Sequence, residues 1–171
     1  LIWIIHDEER FVTTYQKIPG IEFEIKGYRM NYNEQKMFGA LLEAWKRRYP
    51  LFVYESKDDD KASWLDFVLN ETEMKNVPEA AKQRMRSAKK VYESCASNDF
   101  GILLALGSKP LSDENNNIAR RFCKVFQQSY NRFADIQKAE AQAREAEIEL
   151  ALERVRAKTM AMQKSDELKE V

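Results

Sequence analysis

The chain has 171 residues, and its 28 lysines and arginines balance 28 aspartates and glutamates, so the formal net charge is zero. Overall charge therefore gives no reason to expect a nucleic acid or an anionic membrane as the main partner. Hydrophobic residues make up 44% of the chain and aromatic residues 11%, which is too much apolar material for a disordered protein.

The first part of the chain predicts three antiparallel strands. An apolar run over residues 1–5 and a β-branched and aromatic run over 10–15 flank an acidic segment, a pattern typical of a strand, a turn and a strand. Residues 21–26 then alternate strictly between apolar and charged, as expected of a half-buried strand. The buried face of this third strand would consist of Ile21, Phe23 and Ile25.

The middle of the chain predicts three helices and a strand. Apolar residues recur at helical spacing between Asn33, which suits the N-cap position, and Pro50, which would end the helix. A strand over 51–54 follows. The acidic residues 58–60 then favour the N-terminus of a second helix, because they oppose the positive end of its dipole. Pro78 suits the start of a third helix, where the N–H group that proline lacks would be unpaired.

Two β-prone runs over 91–96 and 100–106 are separated by three polar residues, which predicts a hairpin. The predicted order is therefore three strands, a helix, a strand, two helices, two strands and a long helix. Strands joined by hairpins, with the helices in blocks, indicate an α+β fold built on an antiparallel sheet. We expect helices to cover one face of this sheet.

The segment after Pro110 predicts one long helix. No glycine or proline follows this residue, and Ser112 suits the N-cap position ahead of two acidic residues. A helix from Asp113 to about Met162 would be on the order of 75 Å long, well beyond one small domain. We therefore expect it to extend beyond the globular domain of residues 1–111. Large apolar residues near its start would pack on the sheet, namely Ile118, Phe122, Val125, Phe126, Tyr130 and Phe133.

The end of this helix carries a second apolar pattern. Residues 138–147 are rich in alanine, glutamine and charged residues, which predicts a solvated stretch. Beyond it, uncharged residues recur at spacings of four, three, four and three, the pattern of a coiled-coil seam. The predicted dimer interface consists of Ile148, Leu152, Val155, Thr159 and Met162. The helix of residues 112–171 would thus pack on the domain at its start and dimerise at its end.

Few side chains point to catalysis or metal binding. His6 is the single histidine, at a predicted strand end, and no cysteine lies at metal-ligand spacing from it. Cys95 and Cys123 are interpreted as buried, reduced thiols, which favours a cytoplasmic location. The acidic run 58–60 lacks the alternate spacing and the glycine of a calcium loop, so we interpret it as helix-start charge. We expect no metal and no cofactor.

Three further groups have both a functional and a structural interpretation. Basic residues after Pro78 could hold a phosphate, but they suit the exposed face of an amphipathic helix. Aromatic residues could line a ligand cavity between sheet and helices, but their spacing suits the core. Two carboxylates, Glu43 and Asp66, could serve an enzyme, but we expect both on solvated helix faces. The basic group is Lys82, Arg84, Arg86, Lys89 and Lys90, and the aromatic group is Trp3, Phe23, Trp45, Tyr54 and Trp64.

Several classes of protein have no support in the sequence. The motifs GxGxxG, GxxxxGK[ST], HExxH, GxSxG and CxxC are missing, so we expect neither a standard hydrolase nor a nucleotide-hydrolysing enzyme. No apolar run approaches the roughly 20 residues that span a bilayer, so we expect no membrane span here. The chain begins within a strand-like run and stops within a helical pattern, which we interpret as a fragment of a longer protein.

The long helix resembles a known kind of linker. The runs RFCKVFQQ at 121–128, YNRFADIQKAEAQAREA at 130–146 and ALERVRAKTMAMQKS at 151–165 are similar to the linker helix between sensory modules of bacterial multidomain two-component signalling proteins. FGIL at 100–103 followed by LSDE at 111–114 resembles the end of a GAF-like domain. The resemblance implies a GAF-like α+β fold for residues 1–111 and assigns no ligand residue.

The leading hypothesis is a sensory or signal-transmitting module of a cytoplasmic bacterial signalling protein, related to two-component sensors. A ligand- or partner-induced change would pass through the C-terminal helix, and the chain would form a homodimer through that helix. The small-molecule ligand that such a module could bind is not identified by the sequence. The first alternative is a ligand-free structural or dimerisation module, and the second is a small-molecule enzyme. We expect no catalytic activity, because the helix contains no phosphoacceptor histidine and the chain contains no ATP-binding motif.

Overall fold

The computed structural model describes residues 1–18 and 25–167 of the chain. The chain divides into two compact units, Leu1–Gln127 and Gln128–Val171. In chain order the elements are β1 (Ile2–His6), β2 (Phe11–Gln16), β3 (Ile25–Asn31), α1 (Lys36–Lys46), β4 (Leu51–Lys57), α2 (Asp58–Glu71), a 3-10 helix (Glu73–Asn76), α3 (Glu79–Ser87), β5 (Lys90–Asn98), β6 (Gly101–Gly107) and α4 (Asp113–Glu167). The α+β class and the predicted order of strands and long helices are confirmed.

The six strands form one antiparallel sheet in the order β3-β2-β1-β6-β5-β4. Two three-stranded meanders, β1-β2-β3 and β4-β5-β6, meet where β1 pairs with β6. In that pairing Trp3 lies opposite Ile102, and Ile4 lies opposite Gly101. The predicted hairpin is confirmed: only Asp99 and Phe100 separate β5 from β6. The Asn98 side-chain oxygen accepts the backbone N–H groups of residues 100 and 101, each at 2.9 Å, and so closes the turn.

One face of the sheet packs against α1 and α2, and we call it the α1/α2 face. Successive residues of a strand point to opposite faces, so alternate residues such as Trp3 in β1 and Ile102 in β6 meet the same helices. Trp3 is 2% exposed, and its ring centroid lies 5.2 Å from that of Phe38 in α1 and 6.3 Å from that of Trp64 in α2. Leu41 of α1 is 0% exposed. This layer is the main hydrophobic core.

The opposite face of the sheet contacts the beginning of α4, so the prediction that helices cover one face is wrong. Cys123 of α4 is 2% exposed, and its thiol donates to the carbonyl oxygen of Ala96 in β5 at 3.3 Å. Cys123 also lines a cleft with Ile2 and Leu103, which alternate with Trp3 and Ile102 along their strands. Two layers of helix therefore enclose this part of the sheet.

The residues that place α4 on the sheet agree with the prediction in part. Phe126 is half-buried and lines the cleft with Cys123, and Phe122 reaches the same cleft although it is 56% exposed. Ile118, Val125 and Phe133 were also expected to pack there, yet their side chains are 55%, 60% and 58% exposed. The small Cys123, which the sequence did not single out for this contact, is the most buried residue of this part of the helix. The predicted N-cap is confirmed, since the Ser112 hydroxyl accepts the backbone N–H of Asn115 at 3.3 Å.

One helix boundary differs from the prediction. The N-cap of α1 is Gln35 and not Asn33. The Asn33 side-chain oxygen accepts the backbone N–H of Gln35 at 3.1 Å, so it forms a turn ahead of the helix. Residues 19–24 lie outside the described part of the chain, and so do Ile21 and Phe23 of the predicted apolar face of the third strand, whereas Ile25 is the first residue of β3. Pro78 directly precedes α3, as predicted.

Gly101 should not tolerate a side chain, because a Cβ atom at this position would lie 1.9 Å from the carbonyl oxygen of Trp3. We expect Gly101→Ala to lower the free energy of unfolding by about 3 kcal/mol, since the β1–β6 pairing would have to shift. Gly39→Ala is the matched control. It meets nothing within 4 Å in α1 and should raise stability by up to about 1 kcal/mol. Urea unfolding followed by tryptophan fluorescence would measure both, and equal effects would contradict the prediction.

Candidate functional site

A group of buried and half-buried polar side chains lies on the α1/α2 face where β4 pairs with β5. We call Tyr54, Ser56, Asp60 and Glu93 the Glu93 cluster. Tyr54 lies directly opposite Glu93 in the β4–β5 ladder, and Ser56 lies two residues further along the same face. Glu93 is 2% exposed and Ser56 is 1% exposed. Asp60 joins them from the first turn of α2, because α2 begins immediately after β4 with no connecting residue.

The hydrogen bonds of this cluster are incomplete. The Tyr54 hydroxyl donates to the Oδ2 atom of Asp60. Within the described part of the chain, the Oε2 atom of Glu93 and the Oγ atom of Ser56 have no hydrogen-bond partner. A buried carboxylate without a partner is costly, and the usual response is that the group keeps its proton. The Glu93 cluster therefore differs from an ordinary core, whose polar groups are paired.

The electrostatics of the cluster favour a neutral Glu93. Burial raises the pKa of this carboxyl to about 8, and the negative charge of Asp60 acts in the same direction. The N–H group of its own backbone opposes the shift. Burial and the hydrogen bond to Asp60 also raise the pKa of Tyr54 well above its ordinary value. Glu93 is thus a carboxylic acid at neutral pH, and it lies in a place that solvent barely reaches.

The cluster can hold and release a proton, but it is not built like an open catalytic site. A general acid or base must come within hydrogen-bond reach of its substrate. Glu93 is almost fully enclosed between the sheet and α2. Among the described residues, no group of three or more histidine, cysteine, aspartate or glutamate side chains is placed to hold a metal ion. The chemistry that the arrangement supports is a change of charge in the core.

The histidine and the two cysteines have contacts that a structural role explains. His6 ends β1, its ring stacks on that of Phe11 at 4.2 Å, and its Nε2 atom lies 3.1 Å from the Thr13 hydroxyl. Cys95 and Cys123 are 3% and 2% exposed, which confirms that both are buried. Burial raises the pKa of each thiol, so neither is a ready nucleophile.

The predicted positions of the carboxylates are largely confirmed. Residues 58–60 form the first turn of α2, as expected of helix-start charge. Asp60 has a further contact that the sequence did not reveal, since it accepts the hydrogen bond from Tyr54. Glu43 and Asp66 are exposed on their helices. Glu43 pairs with Arg47 at 2.7 Å, one helical turn away.

Part of the basic group lies on the exposed helix face that the sequence predicts, since Arg84 and Arg86 are exposed on α3. Lys82 and Arg86 of α3 both pair with Glu79, at 3.7 Å and 3.4 Å. Lys90 lies in β5 and pairs with Glu55 at 3.4 Å. Three of these basic side chains are therefore neutralised by nearby carboxylates. Phosphate binding gains no support from this arrangement.

The aromatic residues act mainly as core. Trp3 and Trp64 pack together on the α1/α2 face, and the Trp45 indole N–H donates to the carbonyl oxygen of Asn98 at 2.8 Å. Phe23 lies outside the described residues. A narrow cleft with no room for a water molecule lies on the opposite face of the sheet, and its lining is Ile2, Asn98, Leu103, Phe122, Cys123 and Phe126. This cleft is smaller than most ligand sites, and it contains no charged side chain.

The predicted dimer seam lies in the second unit, on α4. Ile148, Leu152, Val155 and Met162 are between 52% and 70% exposed. Thr159 is also exposed, and its hydroxyl donates to the carbonyl oxygen of Val155 at 3.0 Å. Among the described residues of this unit, each seam residue has only its own helix as a neighbour. The geometry leaves the seam open to a partner.

The beginning of α4 carries a second exposed apolar stripe, in the first unit. Ile118, Phe122 and Val125 follow one another at spacings of four and three, as the seam residues do. These residues were expected to pack on the sheet, although their spacing equally fits a helix–helix contact.

Glu93 was not among the candidate residues that the sequence indicated. The available signal was its place between Val91 and Cys95 on the apolar side of an alternating strand.

Comparisons with protein-family models, with curated proteins and with solved structures find no match. In residues 1–18 and 25–167, no helix combines the length and the apolar character of a membrane span. Two features of the chain itself point to a function: the Glu93 cluster in the first unit and the exposed apolar positions of α4.

The buried proton of Glu93 should make stability depend on pH. The native pKa of about 8 lies above the ordinary value of 4.5, so the stabilisation present below pH 4.5 is lost progressively up to about pH 8. Each unit of pKa difference corresponds to roughly 1.4 kcal/mol, so the total loss should be several kcal/mol. Glu93→Gln, which cannot ionise, should remove this slope. Urea midpoints measured between pH 5 and pH 9 would show it.

Glu55→Gln provides the matched control for that measurement. Glu55 is exposed on the other face of β4, so its replacement should leave the pH dependence of the urea midpoint close to that of the wild type. Parallel stability curves for wild type and Glu93→Gln would show that Glu93 is not neutral in the native state.

Proposed function

We propose that the chain is a sensory or signal-transmitting module of a cytoplasmic bacterial signalling protein, related to two-component sensors and GAF-like in its globular part. It forms a homodimer through α4 and transmits a change in the sheet domain along that helix. The observation that carries the proposal is the exposure of apolar residues at coiled-coil spacing on one uninterrupted helix, Asp113–Glu167.

Helix physics supports a partner for α4. A solvated helix gains little stability from its own hydrogen bonds, and most helices in proteins depend on packing of an apolar side. Here the predicted seam leaves Leu152 52% exposed and Val155 61% exposed. Burying such side chains contributes about 1.5–3 kcal/mol each when burial is complete. A second copy of the same helix offers an identical apolar stripe, as expected of a symmetric dimer.

The two stripes on α4 strengthen the proposal together. Two heptads alone form a short coiled coil, and association costs about 4–15 kcal/mol in lost freedom of movement. The stripe that contains Phe122 adds apolar surface at the other end of the helix. Val125 and Ile148 are 23 residues apart, which is two more than three heptads. The spacing along the sequence therefore places the two stripes in different heptad registers.

The alternative function is a ligand-free structural or dimerisation module, and the filled core favours it over a small-molecule sensor. The α1/α2 face is occupied by Trp3, Phe38 and Leu41, all at most 2% exposed. The cleft on the opposite face lacks convergent polar groups. An enzyme has the least support, because Glu43 and Asp66 are exposed and lie outside this cleft.

Native mass spectrometry of the purified chain separates these alternatives. A dimer that retains a small molecule supports a ligand-binding sensor. A dimer without extra mass supports a module that responds to a partner or only holds neighbouring domains together. A monomer at micromolar concentration contradicts the proposed dimer in either form.

A charge in the seam should break the dimer. Leu152→Asp places a carboxylate where two helices would meet, so we expect sedimentation velocity at micromolar concentration to show a monomer. Leu150→Asp is the matched control, because Leu150 is 55% exposed but lies off the seam. This variant should stay dimeric. If both variants behave alike, the contact does not follow the predicted seam.

A further inference from the structure

We infer that the Glu93 cluster is a proton-controlled latch, which holds the first turn of α2 on the β4–β5 part of the sheet while Glu93 is neutral and releases that turn when Glu93 ionises. The inference rests on the arrangement of this cluster within the first unit. It does not depend on dimerisation through α4.

Among the described residues, Tyr54 is the one hydroxyl of the Glu93 cluster that is bonded to a carboxyl group, while the Ser56 hydroxyl has no partner. Tyr54 faces Glu93 from β4, and Asp60 comes from α2. Lys61, in the same turn of α2, is 7% exposed and donates its ammonium group to the carbonyl oxygen of Arg86 at 3.1 Å. On β5 itself, Cys95 is the nearest titratable neighbour on this face. The residue opposite Glu93 in β6 is an uncharged leucine.

Ionisation of Glu93 would create a conflict in this arrangement. The Tyr54 hydroxyl already donates to Asp60, and a hydroxyl has one proton to give. The Oε2 atom of Glu93 has no hydrogen-bond partner among the described residues. A second negative charge would then lie beside Asp60, in a place with little water to screen it. Lifting the first turn of α2 admits water to Glu93 and separates the two carboxylates.

The junction between β4 and α2 provides a place for such a movement. Asp58 is the first residue of α2 and follows β4 directly. Its φ angle is 48°, in the left-handed region that residues other than glycine seldom adopt. A change of this one backbone conformation would tilt the first turn of α2 while β4 keeps its pairing with β5. Release of the turn would also break the bond between Lys61 and Arg86.

The latch lies next to the residues that hold the beginning of α4. Ser94, the neighbour of Glu93 on β5, accepts the backbone N–H of Leu111 at 3.1 Å, two residues before α4 begins. Ala96 of the same strand accepts the thiol hydrogen of Cys123 at 3.3 Å. β5 thus carries the latch on one face and the anchors of α4 on the other. A proton released at Glu93 would act on the strand to which α4 is attached.

Hydrogen exchange of the 171-residue chain, followed by mass spectrometry in half-unit steps from pH 6.5 to pH 9 with the intrinsic pH effect removed, tests the latch. In the wild type we expect exchange in residues 58–65 of α2 to rise by about tenfold between pH 6.5 and pH 9, because the free energy of local opening falls when Glu93 ionises. Exchange in α1, Lys36–Lys46, should change little. The midpoint of the rise should lie near pH 8, the pKa of Glu93.

Variants make the result specific. Glu93→Gln keeps the shape of the side chain and cannot ionise, so its α2 should show no rise between the two pH values. Glu55→Gln should behave as the wild type does. The monomerising variant Leu152→Asp should also keep the rise, so failure of the dimer and failure of the latch are separable.

Three results would overturn the inference: no rise in wild-type α2, an equal rise in α1 and α2, or the same rise in Glu93→Gln as in the wild type. If Glu93→Gln does not fold by circular dichroism, the wild-type comparison of α1 with α2 still decides the question. A selective rise in α2 with a midpoint near pH 8 supports the latch.

Discussion

The pairing of β1 with β6 is the contact on which the rest of the fold depends. Each half of the sheet is a meander made of neighbouring segments, and only this pairing joins the two halves into one surface. The strands approach so closely that the carbonyl oxygen of Trp3 occupies the space where residue 101 would carry a Cβ atom. Once the halves are joined, the tryptophan ring reaches both α1 and α2. The core is thus completed by β1 and β6, the first and last strands in the sequence, which are neighbours at the centre of the sheet.

The arrangement of β5 explains why both faces of the sheet are used. Its side chains alternate, so Glu93 and Cys95 face α2 and α1 while Ser94 and Ala96 face α4. A strand with helices on both sides is buried over most of its length, and polar residues in it have to be paired or neutral. Ser94 is paired with a backbone N–H group. Glu93 has only partial pairing, and its carboxyl responds by holding a proton.

Much of the fold could be predicted from the sequence, because strands and helices have different apolar periods and proline and glycine mark their ends. The predictions that failed concern which side of a helix or strand faces the core. The start of α4 carries bulky residues on several sides, and periodicity alone does not say which of them meet a sheet. Cys123 and Phe126 face the sheet, whereas Ile118 and Val125 are exposed. Likewise a single glutamate in a strand looks like an exposed residue until the helix that covers it is known.

The alternation of β5 limits how the length of this strand can change. A single residue inserted ahead of Glu93 would turn every later side chain of the strand to the other face. The glutamate would then point toward α4, and Ser94 would point toward α2. The two helices would lose their respective partners at once. An insertion of two residues would keep each side chain on its own face of the sheet, but it would displace the β5–β6 hairpin by about 7 Å along the strand. Homologous chains should therefore conserve the spacing between residues 90 and 98 more strictly than the side chains on its surface.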